Sequence, residues 1–157
     1  MASIFTPGSA AFRREMDQAA AILEKQFGLL PGILSRMMAK ESQYDPNAYN
    51  TVTQAAGIVQ QRPIFVRDVT EARPHIYKIA NFDPYNPKQA LYAAAAYLNF
   101  IFKRTGSNSW AWPLIAYNWG EGAMNGFRKG VSLGMNPKLP DETIAYVRYI
   151  APEYSRA

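Results

Sequence analysis

The chain has 157 residues, of which 48% are hydrophobic and 18% charged, and this composition is typical of one ordered globular domain spanning residues 1–157. It contains no cysteine, so disulfides and thiolate nucleophiles are excluded. It contains one histidine, His75, which gives little support for a zinc site or a serine–histidine triad. The 17 Lys and Arg residues against 12 Asp and Glu residues give a net charge of +5, which favours a polyanionic partner such as cell wall, nucleic acid or anionic membrane.

The beginning of the chain carries no recognisable targeting signal. Its first thirty residues lack a basic start followed by an uninterrupted apolar run, so we predict no secretory signal peptide. No stretch approaches the roughly 18 apolar residues of a membrane span. The sequence motifs of metalloproteases, phosphate-binding loops and dinucleotide-binding folds are missing, so we expect no metal and no cofactor. For His75 we expect a surface or turn position.

Two helices are predicted in the first 45 residues. Ser9 can cap the first helix and Gly28 can end it. Its apolar face consists of Phe12, Met16, Ala19, Ala20, Leu23 and Phe27. Pro31 suits the first turn of the second helix, which must end by Asp45 because Pro46 follows. Its buried stripe consists of Ile33, Leu34, Met37 and Met38.

Glu41 continues the stripe of the second helix, seven residues after Leu34. Partial burial and the negative end of the helix dipole would both raise the pKa of this carboxyl group. A carboxylic acid that stays protonated near neutral pH is what general-acid cleavage of a glycosidic bond requires. The alternative is that Glu41 caps the helix end or pairs with Arg36, and the pattern alone favours this alternative.

The remaining elements are also predicted to be helical. A polar loop covers residues 47–56, and four prolines cut residues 61–87 into short pieces, with one helix at 64–72. A clearer helix covers 88–104, and another, which Ser109 can cap, runs through Trp110 to Asn118. Four glycines then loosen the chain at 120–130, and a last helix begins at Pro140. We predict a mainly α fold with little or no β-structure.

Four segments in this order resemble the lytic transglycosylases of the Slt type, whose domain has a lysozyme-like fold. The segments are Glu41-Ser42 with Tyr44 and Pro46, Gly57-Ile58-Val59-Gln60, Ala116-Tyr117-Asn118 with Gly120 and Gly122, and Glu142-Thr143 with Tyr146-Val147. The resemblance covers about residues 28–150. It implies an enzyme that cleaves the glycan of peptidoglycan between N-acetylmuramic acid and N-acetylglucosamine.

The resemblance also implies roles for single residues. Glu41 would be the one catalytic acid, which afterwards acts as base toward the C6 hydroxyl and closes a 1,6-anhydro ring without consuming water. The substrate's own acetamido group would replace a second carboxylate. Substrate-binding roles are implied for Ser42, Gln60, Tyr117 and Tyr146, with Tyr117 close to the acid. Asn118 would brace a neighbouring loop. For Gln60 and Tyr146, a structural amide and core packing are the alternatives.

The chain departs from the family pattern at several positions. Asn50 stands where many members carry a substrate-binding Ser, and Thr51 or Thr53 can supply that hydroxyl instead. Val59 replaces the usual Met, and Glu121 stands where Pro is common, either as a solvated loop acid or as a substrate contact.

Three tryptophans flank the Ala-Tyr-Asn motif. Trp119 is expected at the cleft, where its ring can stack on a sugar, whereas Trp110 and Trp112 are expected in the core.

Two alternative functions remain beside the transglycosylase. One is a hydrolytic muramidase on the same fold, and the other is a non-catalytic glycan- or nucleic-acid-binding helical module. The expected partner is the peptidoglycan glycan strand, with no nucleic acid and no membrane span. We expect a bacteriophage protein, a monomer or part of a larger virion protein, which is virion-associated or an endolysin delivered from the host cytoplasm to the periplasm.

Overall fold

A computed structural model of the protein describes residues 8–71 and 79–152. These two ranges contain seven helices: α1 Ala10–Phe27, α2 Ile33–Ser42, α3 Pro63–Thr70, α4 Pro87–Thr105, α5 Ala111–Trp119, α6 Glu121–Ser132 and α7 Asp141–Ile150. The β-pairing found within the described ranges is limited to two isolated bridges, Tyr49 to Ala56 and Ala56 to Gln61. The predicted mainly α fold is therefore confirmed. His75, expected at a surface or turn, lies outside the described residues.

Helix α1 has the two ends that its sequence predicts. Ser9 Oγ accepts a hydrogen bond from Phe12 N at 3.1 Å, which satisfies one of the free N–H groups of the first turn. Gly28 ends the helix in the left-handed conformation with a φ of 65°, where a residue without Cβ is favoured. Phe12, Met16 and Ala20 are buried.

Helix α2 carries Glu41 in its last turn. The predicted stripe is confirmed, since Ile33, Leu34, Met37 and Met38 are each 0% exposed. The helix begins later than predicted: Gly32 is its N-cap, so Pro31 precedes the first turn instead of belonging to it. It ends at Ser42, before Asp45, as Pro46 requires.

Helix α6 corrects the prediction that the glycines at 120–130 loosen the chain. The segment is a twelve-residue helix, Glu121–Ser132, in spite of three internal glycines. Met124 is 2% exposed, and the helix packs against α5. Packing of an apolar face therefore outweighs the low helix propensity of glycine, which is about 1 kcal/mol per residue less favourable than that of alanine.

The chain divides into two compact units, Met1–Tyr97 and Leu98–Ala157, and the boundary falls within α4. In the first unit, α1 packs against α2. In the second unit, α5 packs against both α6 and α7. The expectation of one domain over the whole chain stays a prediction.

Two absences hold for the part of the chain that the structure describes. None of the helices in residues 8–71 and 79–152 is long and apolar enough to cross a membrane. The same residues contain no group of three His, Cys, Asp or Glu side chains that could hold a metal ion.

Candidate active site

Glu41 lies in the last turn of α2, one residue before the helix ends. Its side chain is half-buried, which agrees with the partial burial expected from the stripe. The reason is its place at the helix end, where the buried face gives way to the turn that follows. Arg36 Nη2 donates to the Pro31 carbonyl at 3.3 Å, and the pairing of Arg36 with Glu41 stays an alternative.

The turn directly after Glu41 has an unusual backbone. Gln43 and Tyr44 are two consecutive residues with positive φ, 55° and 63°, and neither is glycine. Such a conformation costs about 1–2 kcal/mol per residue. The turn is closed by hydrogen bonds from Gln43 N to Ala39 O and from Tyr44 N to Met38 O, both at 3.2 Å. Because this backbone conformation is unfavourable, we expect contacts beyond these two hydrogen bonds to stabilise the turn.

Ser42 connects the helix end to the Gly57–Gln60 motif. Its Oγ donates to the carbonyl of Ile58 at 2.7 Å and accepts from Asp45 N at 3.1 Å. The first two motifs of the sequence are thus joined by a hydrogen bond. These contacts give the Ser42 hydroxyl a structural task, and its substrate-binding role stays a prediction.

Gln60 is half-buried and has a positive φ of 51°. Its Nε2 donates to the carbonyls of Gly57, at 2.9 Å, and Ala48, at 3.2 Å. Both amide hydrogens therefore close the loop, which leaves the amide oxygen as the group that can meet a ligand. A sugar contact through this oxygen stays a prediction.

Gly57 could not be replaced without moving the loop. Its φ is 85°, and a Cβ built on it would overlap the carbonyl oxygen of Pro84. The backbone of the motif therefore lies directly against the backbone of residue 84. Val59 of the same motif is fully buried, so it is a core residue here.

Asn50 is exposed and organises the loop ahead of that motif. Its Oδ1 accepts hydrogen bonds from Val52 N at 2.9 Å and Thr53 N at 3.0 Å. The Oγ1 of Thr53 accepts in turn from Ala55 N at 3.2 Å. These bonds define the loop conformation, and a substrate contact from Asn50 or Thr53 stays a prediction.

An acid that sequence reasoning missed, Glu24, holds the beginning of α2. Its carboxylate accepts from Gly32 N at 2.9 Å and from Leu34 N at 2.8 Å, and the residue is only 6% exposed. Because Gly32 has no side chain to cap the helix, Glu24 of α1 supplies the cap from outside. A signal was present in the sequence: Glu24 continues the four-residue spacing of Phe12, Met16 and Ala20.

A second missed group connects α1 to the turn after Glu41. Tyr44 Oη donates to Asp17 Oδ1 at 2.6 Å, and Arg13 lies over the Tyr44 ring at 4.9 Å. Burial, together with the hydrogen bond and the negative charge of Asp17, raises the pKa of Tyr44 to about 12. The phenol therefore remains a hydrogen-bond donor over the whole neutral range. No local sequence pattern indicates this pair, whose members are 27 positions apart.

In the second unit, a hydrogen bond joins the third and fourth motifs. Thr143 Oγ1 donates to Asn118 Oδ1 at 2.8 Å, and Thr143 is only 1% exposed. Asn118 therefore has the bracing role predicted for it, although it braces the first turn of α7 and not a loop. Tyr117 is half-buried in the last turn of α5, and Tyr146 is buried in α7 at 2% exposure. The substrate contacts of both tyrosines stay predictions.

The tryptophans and Glu121 also lie in the second unit. Trp110 is buried and stacks on Phe102 with ring centroids 4.0 Å apart, which confirms its core position. Trp119 is half-buried at the end of α5, and its contact with a sugar stays a prediction. Glu121 is not a solvated loop acid, because it begins α6 and its Oε1 lies 3.0 Å from Arg104 Nη1. A substrate contact from Glu121 stays a prediction as well.

Trp112 is half-buried against two side chains of α6. Its ring centroid is 6.0 Å from that of Phe127, and the guanidinium of Arg128 lies over it at 5.3 Å. It is therefore a packing residue that is less enclosed than the core position expected for it.

Comparison with known families finds a match over most of the chain. The family model described as Transglycosylase SLT domain matches residues 18–132, which is most of the chain. The matched range includes Glu41, Gln60 and Tyr117; it begins after Asp17 and ends before Tyr146. A comparison with curated proteins finds no match.

Proposed function

The chain belongs to the transglycosylase SLT domain family, and on that premise we propose that it cleaves the β-1,4 bond between N-acetylmuramic acid and N-acetylglucosamine by forming a 1,6-anhydro ring. Family membership supports a lytic transglycosylase that acts on peptidoglycan. The helical architecture is consistent with the lysozyme-like fold of that family. The bond that is cleaved, the product and the roles of individual residues are the proposal.

The observation that carries the proposal is the position of Glu41. It is a half-buried carboxyl group at the end of a buried helix stripe, within the family-matched range, and the turn after it is held by several hydrogen bonds. In the proposed reaction, Glu41 gives its proton to the glycosidic oxygen as that bond to C1 breaks. The carboxylate then removes the proton of the C6 hydroxyl, and the C6 oxygen bonds to C1.

The surroundings of the other candidate carboxylates support a mechanism with one acid. Two-carboxylate glycosidases need a second Asp or Glu held across the scissile bond. Asp45 and Asp83 each accept a hydrogen bond from the backbone N–H two residues later, at 2.9 Å in both cases. Glu121 is paired with Arg104, and Asp141 lies in the first turn of α7. Each therefore has a local structural contact or position.

In this proposal, residues within and next to the four sequence motifs bind the substrate. We propose that Gln60 contacts the sugar through its amide oxygen, since its amide nitrogen is used within the loop. Ser42, Asn50, Tyr117, Trp119, Glu121 and Tyr146 remain proposed substrate contacts on the strength of the family pattern.

The test is product analysis on purified sacculi with wild type, Glu41→Gln and a matched control, Glu15→Gln. The control removes a different carboxylate, one that lies on α1 and pairs with Lys88 at 3.5 Å. We expect wild type and Glu15→Gln to release muropeptides that end in 1,6-anhydro-muramic acid, and Glu41→Gln to lose at least about 100-fold in rate, as expected for a general acid.

Other results would replace the proposal. Reducing ends throughout the products would assign a hydrolytic muramidase on the same fold. If Glu41→Gln lysed sacculi as fast as wild type, Glu41 would not be the acid. Salt-sensitive DNA binding without any lysis would favour a binding module.

The biological setting is a separate part of the proposal. We propose a bacteriophage enzyme, carried in the virion or released as an endolysin, that meets peptidoglycan in the periplasm. Localisation of the protein in purified virions and in infected cells would distinguish these two routes.

A further inference from the structure

Three residues tie α1 to α2 and the turn that follows it, and we call Arg13, Asp17 and Tyr44 the α1 tie. Arg13 and Asp17 are four residues apart on α1, so they lie on one face of that helix. Arg13 Nη2 donates to the carbonyl of Gln43 at 3.3 Å, and its guanidinium lies over the Tyr44 ring at 4.9 Å. Asp17 Oδ1 accepts from Tyr44 Oη at 2.6 Å.

The same oxygen of Asp17 also reaches the beginning of α2. Ser35, in the first turn of α2, donates from Oγ to Asp17 Oδ1 at 2.7 Å. Tyr44 follows the last turn of α2, so its side chain folds back along the helix to meet the same atom. One carboxylate oxygen therefore connects both ends of the helix that carries Glu41.

The turn depends on these contacts because its backbone is strained. Gln43 and Tyr44 both have positive φ, and α1 meets both of them: Arg13 bonds to the carbonyl of Gln43, and Asp17 bonds to the side chain of Tyr44. If the turn relaxed to ordinary φ values, the chain after Ser42 would change direction. The last turn of α2, which contains Glu41, would then lose the hydrogen bonds that close it at Ala39 and Met38.

The two α1 members of the tie precede the segment that the family model matches. That segment begins at residue 18, whereas Arg13 and Asp17 lie before it. From the contacts of Asp17 with Ser35 and Tyr44, and of Arg13 with Gln43, we infer that Asp17, assisted by Arg13, is a positioning residue for Glu41. Asp17 acts on Glu41 through Ser35 and Tyr44. The inference rests on the proposed function, because it assumes that Glu41 is the acid.

The expected effect concerns the rate more than the binding of substrate. Glu41 must lie within hydrogen-bond reach of the glycosidic oxygen and then of the C6 hydroxyl, and a displacement of about 1 Å can cost up to 100-fold in rate. Asp17 itself does not contact the reacting atoms in this proposal. Its loss should therefore lower kcat and leave KM nearly unchanged.

The experiment measures kcat and KM on soluble, uncrosslinked peptidoglycan glycan strands, well below the melting temperature of each variant. We expect Asp17→Ala and Tyr44→Phe to lower kcat about tenfold to 100-fold, with KM within about twofold of wild type. Asp17→Asn keeps an oxygen that can accept from both hydroxyls, so it should recover most of the kcat lost in Asp17→Ala. The matched controls are Glu15→Gln on α1 and Tyr85→Phe, whose residue is 42% exposed.

The double variant Asp17→Ala/Tyr44→Phe adds a check on the coupling. If the two residues act through one hydrogen bond, its kcat should be close to that of the lower single variant instead of the product of both losses. If the kcat losses of the two single variants multiplied in the double variant, the two residues would act independently, and this result would contradict the α1 tie.

The outcomes separate the inference from the proposed function. A folded Asp17→Ala protein with wild-type kcat would overturn the inference, as would an Asp17→Asn variant no more active than Asp17→Ala. Neither result touches the role of Glu41. In contrast, wild-type activity of Glu41→Gln would overturn the proposed function itself, whatever the Asp17 variants do.

Discussion

The carboxylates of Glu24 and Glu41 lie at opposite ends of α2. Glu24 meets the first turn, where two backbone N–H groups donate to it, and it is almost fully buried. Glu41 lies in the last turn, where the helix presents carbonyl groups instead of N–H groups. The helix end thus affects the surroundings of each acid: both carboxylate oxygens of Glu24 accept from backbone N–H groups, whereas Glu41 lies at the end where the helix presents carbonyl groups.

At the residue scale, Tyr44 gives a prediction about pH. Its pKa is raised in the folded protein from 10.0 to about 12, so the neutral phenol favours folding. This contribution is complete below pH 10 and is lost as the pH rises through about 12. We expect the free energy of unfolding of wild type to fall more steeply than that of Tyr44→Phe across this window, in urea denaturation at a series of pH values. Parallel curves would contradict the prediction.

At the element scale, α2 is held at its beginning by a residue of another helix. Glu24 takes the place of a cap that Gly32 cannot supply, and Asp17 adds a contact through Ser35 one residue further along. The orientation of α2 is therefore set largely by α1, and a change in the buried face of α1 should be felt at Glu41.

Removing this cap should destabilise the protein. Glu24→Gln keeps one acceptor but turns an amide N–H₂ toward a backbone donor, so we expect a loss of about 1–3 kcal/mol in the free energy of unfolding. Glu15→Gln, which breaks a largely exposed ion pair between Glu15 on α1 and Lys88 on α4, should cost less than about 1 kcal/mol. The midpoint of urea denaturation at constant m-value measures both. Equal shifts for the two variants would show that Glu24 is not a cap.

The elements also show where prediction from sequence succeeds. Ser9 and Gly28 could be identified as helix ends because capping depends on residues within one turn of the cap. Helix α6 could not be predicted in this way, because glycine has a low helix propensity and the stability of this helix comes from packing against α5, which is a tertiary contact. The α1 tie was equally invisible, since Asp17 and Tyr44 meet only once α1 lies against α2.

At the scale of the whole molecule, the helical patterns along the chain were enough to predict the fold class, and the order and spacing of four short motifs were enough to predict the family. Those motifs mark the predicted acid and its loop, but they give no information on what holds them. Glu24 is the clearest case: it continues an apolar stripe just as Glu41 does, and only the fold reveals that its partners are backbone N–H groups.

The net charge of +5 gives a prediction for the intact protein. Peptidoglycan carries carboxylates on its peptide stems, so attraction to sacculi should weaken as salt shortens the screening length, which is about 10 Å at 0.1 M. We expect the apparent KM for sacculi to rise with ionic strength while kcat stays nearly constant. An uncharged N-acetylglucosamine oligomer lacks muramic acid and serves as a binding probe, so its Kd should not change with ionic strength. A KM for sacculi that does not change with ionic strength would show that the net charge does not contribute to substrate binding.

The place of the α1 tie has a practical consequence for protein engineering. A designer who transplants the wall-cleaving module into another protein would naturally cut at the family boundary, residue 18. That cut removes Arg13 and Asp17 and leaves the turn after Glu41 without its partners. A graft that begins at Gly8 retains both residues, the Ser9 cap of α1 and the buried side chains of Phe12 and Met16, so it should be better folded and faster than the graft cut at residue 18.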